Sequence, residues 1–102
     1  MKLLEKQIQK ACLDYLNLKG YCAWRNQTTG TFNKKSGGYI PSPAVGAPDI
    51  IICHQGRFIG LEVKQPGKPL SDAQRAFQAR IRGAGGRYEV ITSVDDIIKL
   101  GL

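Results

Sequence analysis

Pro48-Asp49-Ile50-Ile51-Ile52-Cys53-His54-Gln55-Gly56-Arg57-Phe58-Ile59-Gly60-Leu61-Glu62-Val63-Lys64 decides how this 102-residue chain is read. Two β-rich apolar runs flank a turn, His54-Gln55-Gly56-Arg57, so the stretch predicts a β-hairpin. A two-residue Gln55-Gly56 loop fixes the pairing. His54 then faces Arg57, Cys53 faces Phe58, Ile52 faces Ile59, Ile51 faces Gly60, Ile50 faces Leu61 and Asp49 faces Glu62. That register sets two carboxylates on one face with Cβ atoms roughly 4.5–5.5 Å apart. Like charges so placed repel. Either one carboxyl is protonated or a cation sits between them. Two carboxylates suit a hard divalent ion such as Mg²⁺, which accepts one or two of them and keeps its waters. Lys64 lies two residues beyond Glu62 and projects to the same face, while Ile59, Leu61 and Val63 anchor the other face in a core. A lysine there can orient or deprotonate a water, or stabilise charge building on a phosphate.

Outward from the hairpin, the chain alternates helices and strands. Residues 4–19 predict a helix, with Leu4, Ile8, Ala11, Tyr15 and Leu18 as its apolar stripe, Glu5 at the stripe's margin and Gly20 as its stop. Residues 21–26 predict a strand. Residues 27–47 are rich in Thr, Gly, Ser, Asn and Pro and carry Lys34 and Lys35, which predicts one long basic loop of functional use. After the break at residues 65–69, Ser71-Asp72-Ala73-Gln74 matches a capping box and opens a helix to about residue 84. Phe77, Ile81 and Ala84 form its expected buried stripe, and Gly85-Gly86 ends it. Residues 88–92 and 93–100 predict a last strand and a short closing helix. The order α-β-β-β-α-β-α predicts an α/β sandwich around one mixed sheet, a single domain over 1–102.

Fifteen Lys and Arg against eight Asp and Glu give a net charge of +7, which favours a polyanionic partner, nucleic acid ahead of anionic lipid. No run approaches the ~20 apolar residues of a membrane span. Residues 1–10 carry charge throughout and lead into an amphipathic helix, which predicts no leader and a cytoplasmic location. Cys12, Cys22 and Cys53 show no metal-ligand spacing and are expected as small buried hydrophobes.

Gly46-Ala47-Pro48-Asp49-Ile50 followed by Leu61-Glu62-Val63-Lys64 resembles the PD-(D/E)xK nuclease superfamily, and within it the VRR-NUC domain. Glu5 in the first helix, Trp24-Arg25-Asn26 ending the first strand, and Ser71 with Gln74 extend the likeness over nearly the whole chain. The resemblance implies a restriction-endonuclease-like fold and Mg²⁺- or Mn²⁺-dependent hydrolysis of phosphodiesters in branched DNA such as four-way junctions. It implies no nucleotide cofactor and no membrane. Asp49, Glu62 and Val63 form the implied metal set, Lys64 acts on the water, and Glu5 and Gln74 complete the catalytic group. Arg25, Lys34, Lys35, Lys68 and Arg75 are expected to contact DNA, and a homodimer would match a junction's two-fold symmetry. Several of these residues have structural rivals. Glu5 is also a favourable acid in a helix's first turn, Gln74 is also a capping residue, and the basic residues are also ordinary solvated charges. A silent DNA-binding module, a monomeric flap or single-strand nickase, and an interaction domain are the alternatives.

Overall fold

The computed structural model describes residues 2–26, 31–33, 37–40 and 44–102. Its elements are α1 (Glu5–Leu18), β1 (Cys22–Arg25), β2 (Thr31–Asn33), β3 (Gly38–Ile40), β4 (Ile50–His54), β5 (Arg57–Val63), α2 (Asp72–Gly83), β6 (Arg87–Ile91) and α3 (Val94–Lys99). Four strands form the main sheet in the order β1-β4-β5-β6. β1, β4 and β5 are antiparallel neighbours, and β6 runs parallel to β5 after the α2 crossover. The sheet is therefore mixed, as expected.

The β4–β5 register agrees with the sequence reading at all five expected pairs within the strands, from Ile50↔Leu61 to His54↔Arg57. Gln55 and Gly56 both take positive φ, 52° and 74°, the primed turn that suits the twist of a two-residue hairpin. β2 and β3 form a separate hairpin, Thr31↔Ile40 to Asn33↔Gly38. The expectation of one long loop over 27–47 is corrected there. Three-residue strands are too short to carry an alternation that stands out in a Gly- and Ser-rich stretch.

α1 and α3 cover one face of the sheet. Ile8, Cys12, Leu16 and Ile97 pack there on Ile50, Ile52, Ile59, Leu61, Val63 and Ile91. The stripe expected on the first helix is rotated: Leu4 and Ala11 are exposed, and Leu18 is 86% exposed. Leu16 and Leu18 point about 200° apart on a helix, so burying Leu16 turns Leu18 to water. α2 lies on the other face, where Gln78 Nε2 and Arg82 Nη2 donate to the Tyr88 carbonyl. Its stripe is not buried as expected: Phe77 and Ile81 are half-buried and Ala84 is exposed, because α2 covers only part of that face. The same gap corrects the cysteine reading. Cys12 is buried, but Cys22 and Cys53, paired across β1 and β4, are exposed. No helix among the described residues is long and apolar enough to cross a membrane.

Two glycines let backbone approach backbone where the hairpin meets its surroundings. Gly46, at φ 92°, sits so close to α2 that a Cβ would overlap the Ala73 carbonyl. A Cβ on Gly60 would overlap the Pro48 ring, so the bare glycine lets Pro48 lie flat on β5 beside Asp49. Gly60→Ala should cost about 1–3 kcal/mol through overpacking, roughly 5–20 °C in Tm for a domain of this size. A thermal melt followed by circular dichroism checks this. An unchanged Tm would mean that Pro48 is free to move aside.

Candidate active site

The β4–β5 ladder ends at Ile50↔Leu61, and Asp49, the residue before β4, meets Glu62 through its side chain. Asp49 precedes β4, and its Oδ2 accepts a hydrogen bond of 2.8 Å from the Val63 N–H. That bond turns the carboxylate back across β5, where it also meets the Glu62 carboxyl. Glu62 is only 3% exposed. Burial pushes its pKa up to about 9, and the hydrogen bond to Asp49 and Asp49's charge push the same way; Tyr88 and Lys64 oppose the rise. In the absence of a cation, these effects favour a proton on Glu62 at neutral pH.

Two further side chains hold Glu62. Gln74 Nε2 donates to Glu62 Oε2 at 3.2 Å, while Gln74 Oε1 accepts from the Ser71 N–H at 2.8 Å. Ser71 Oγ accepts from the Gln74 N–H in return, completing the capping box. The two readings of Gln74 are thus one arrangement. The cap fixes the amide oxygen toward Ser71, which leaves the amide nitrogen facing Glu62. Tyr88, fully buried, sets its hydroxyl 3.2 Å from Glu62 Oε1 and 3.1 Å from the Gly46 carbonyl. A phenol has one proton, so it donates to one acceptor at a time. The two acceptors, Glu62 Oε1 and the Gly46 carbonyl, therefore share one donor. Tyr88 was missed from sequence because only the parallel β5–β6 register, Gly60↔Tyr88, brings it to this face.

The remaining expected residues are dispersed. Lys64 follows β5 and is half-buried; its charge favours the ionised form of Glu62. Its backbone N–H donates to Ile91 O, which fixes the end of the strand. Glu5 lies beside the next residue: its Oε2 accepts from the Gln65 N–H at 3.4 Å and stands 4.0 Å from Lys68 Nζ. Glu5 is thus tied to the segment after Lys64, and no contact joins it directly to Asp49 or Glu62 among the described residues. Val63 presents only backbone atoms to the site. Arg25 is exposed at the sheet edge near Lys6 and Lys10. Arg75 donates to Leu70 O and pairs with Asp72, the structural use of that residue. Lys34 and Lys35 lie outside the described residues.

Among the described residues, no three His, Cys, Asp or Glu side chains cluster to hold a metal ion. Asp49 and Glu62 alone offer two hard oxygen donors, a number that suits Mg²⁺ or Mn²⁺. A buried carboxyl that keeps its proton to about pH 9 beside a second carboxylate is a position where a cation can replace that proton.

Residues 4–95 match the family profile of the VRR-NUC domain. One solved structure described as a VRR_NUC domain superimposes with a TM-score of 0.68 at 21% identity, covering 94% of this chain and 91% of the other. A second, described as a VRR_NUC domain protein, gives 0.73 at 18% identity, covering 98% and 86%. These two likenesses show the fold. Among curated proteins none matches.

The raised Glu62 pKa makes stability depend on pH in a defined direction. Below about pH 4.5 the carboxyl is protonated in both the folded and the unfolded chain, so it contributes no difference. Between about 4.5 and 9 the unfolded chain releases the proton and the folded chain keeps it, so stability falls as pH rises. Glu62→Gln should therefore melt close to the parent at pH 4 and at least about 5 °C higher at pH 8 in chelator. A constant offset across that range would contradict a proton held by Glu62.

Proposed function

This chain belongs to the VRR-NUC domain family, whose domains are nuclease-type, and from that premise we propose that it is a divalent-metal-dependent DNA endonuclease acting on branched DNA. The observation that carries the reading is the Asp49–Glu62 carboxylate pair, Glu62 buried and Asp49 half-buried, with Lys64 directly after the same strand. Asp49 and Glu62 would hold the ion, with the Val63 carbonyl as the backbone donor beside them. A bound Mg²⁺ or Mn²⁺ would supply Lewis-acid polarisation of the phosphate and a more acidic water.

The chain's own residues prepare that chemistry. The Val63 N–H occupies Asp49 Oδ2 and fixes the direction of the carboxylate. Gln74 and Tyr88 hold the two oxygens of Glu62, so its rotamer is set before any ligand arrives. Lys64 orients the attacking water and offsets negative charge as the P–O bond breaks. Gly46 and Pro48 keep Asp49 in place against α2 and β5. Arg25 and Lys68 contact phosphates, and the net charge of +7 draws the polyanion in.

One chain carries one such site, which cuts one strand per visit. A homodimer with two-fold symmetry would set two sites across a four-way junction, the arrangement that best suits so small a domain. Its mass in solution would be twice 11.2 kDa.

Labelled duplex, flap, single-strand and four-way-junction DNA, incubated with Mg²⁺ or Mn²⁺, test the reading. Cleavage should require the metal, stop in chelator and fall at least about 100-fold in Asp49→Ala, Glu62→Ala and Lys64→Ala. Junctions should receive paired, symmetric cuts. Full activity in chelator, or near-normal turnover in any folded variant of the three, would overturn it.

A further inference from the structure

The half of the sheet that α2 leaves uncovered forms a groove of about 520 Å³. Trp24, Ile51 and Phe58 line it from the strands, Phe77 and Ile81 from α2, and Pro48 is also in the lining. Trp24 and Phe58 are 48% and 40% exposed, a large aromatic surface for a domain this small to leave in water. Two of the lining residues connect the groove to the backbone that carries Asp49. Pro48 precedes Asp49, and Asn26, also in the lining, donates through Nδ2 to Pro48 O and through its backbone N–H to Asp49 O.

We propose that this groove receives an unpaired nucleobase of the bound strand, next to the Asp49–Glu62 pair. The inference rests on the nuclease reading above and adds a substrate feature to it: a base free to leave the stack, as at a branch point. Three rings supply π-faces against which any base can stack. No acidic or basic side chain is among the described residues that line the groove, so it suits a base and not a phosphate. The charge needed for the backbone lies at its rim, where the Arg80 guanidinium stacks on Phe77 at 5.2 Å from the ring centre. An apolar groove with a cationic rim, on a chain of +7, complements a nucleotide better than an apolar protein segment.

Trp24 is the chain's one tryptophan, so its fluorescence reports the groove alone. A single-stranded oligothymidine, titrated in chelator so that nothing is cut, should quench that fluorescence. An abasic strand of the same length and charge should bind at least about ten-fold more weakly and quench little. By anisotropy of a labelled strand, Trp24→Ala and, separately, Phe58→Ala should each lose about ten-fold for the single strand and leave blunt duplex unchanged; Trp24→Phe should restore binding. Both residues are half-exposed, and a melt of each variant confirms the fold. Equal affinity for the abasic strand, or folded alanine variants that bind like the parent, would overturn the proposal. So would a change of solution mass in Trp24→Ala with unchanged DNA affinity, which would make the groove a contact between copies. The two readings fail separately. Base-dependent quenching without any Mn²⁺-supported cleavage keeps the groove and removes the nuclease, while cleavage with no base dependence does the reverse.

Discussion

A carboxyl group with almost no access to water, set against a second carboxylate, is the constraint around which the rest of this domain is arranged. Glu62 in that position is destabilising unless a proton or a cation accompanies it. Every neighbour serves to hold it there. The β4–β5 hairpin brings Asp49 to Glu62, Val63 pins Asp49, Gln74 reaches in from the α2 cap, and Tyr88 ties Glu62 to the Gly46 loop. Gly46 and Gly60 remove the side chains that would hold α2 and Pro48 away. The opposite face of β5 contributes the apolar anchoring, with Ile59, Leu61 and Val63 buried against α1 and α3. The main apolar core thus lies on one face of the sheet and the carboxylate pair on the other.

The hairpin was legible because its information is local. A two-residue turn fixes register, register fixes which side chains share a face, and a period of two places Glu62 and Lys64 together. The capping box was legible for the same reason, since Ser71 and Gln74 are three residues apart. What the sequence concealed depends on contacts between distant segments. Tyr88 reaches Glu62 only through the parallel pairing of β6, and parallel register has no turn to fix it. The stripe of α1 was misplaced because Leu16 and Leu18 are equally apolar, and only the sheet beneath decides which is buried. The β2–β3 hairpin escaped notice because three-residue strands carry too little pattern.

The open stripe of α2 is the same lesson seen from the other side. Phe77, Ile81 and Ala84 have helical spacing, which predicts that the side chains share a face but not that anything covers it. Here the face stays open, and Pro48 and Asn26 in its lining lead by backbone contact to Asp49. An apolar cleft of this size with few polar groups is a common form of ligand site.

A divalent cation bound at Asp49 and Glu62, as proposed, would have to displace the proton that burial keeps on Glu62. Calorimetric titration of Mn²⁺ at pH 7.5, repeated in two buffers of different ionisation enthalpy, counts the protons exchanged on binding. About one proton should be released per bound ion, and Glu62→Gln should lose both binding and release. Binding without proton release, or equal affinity in Glu62→Gln, would contradict that displacement.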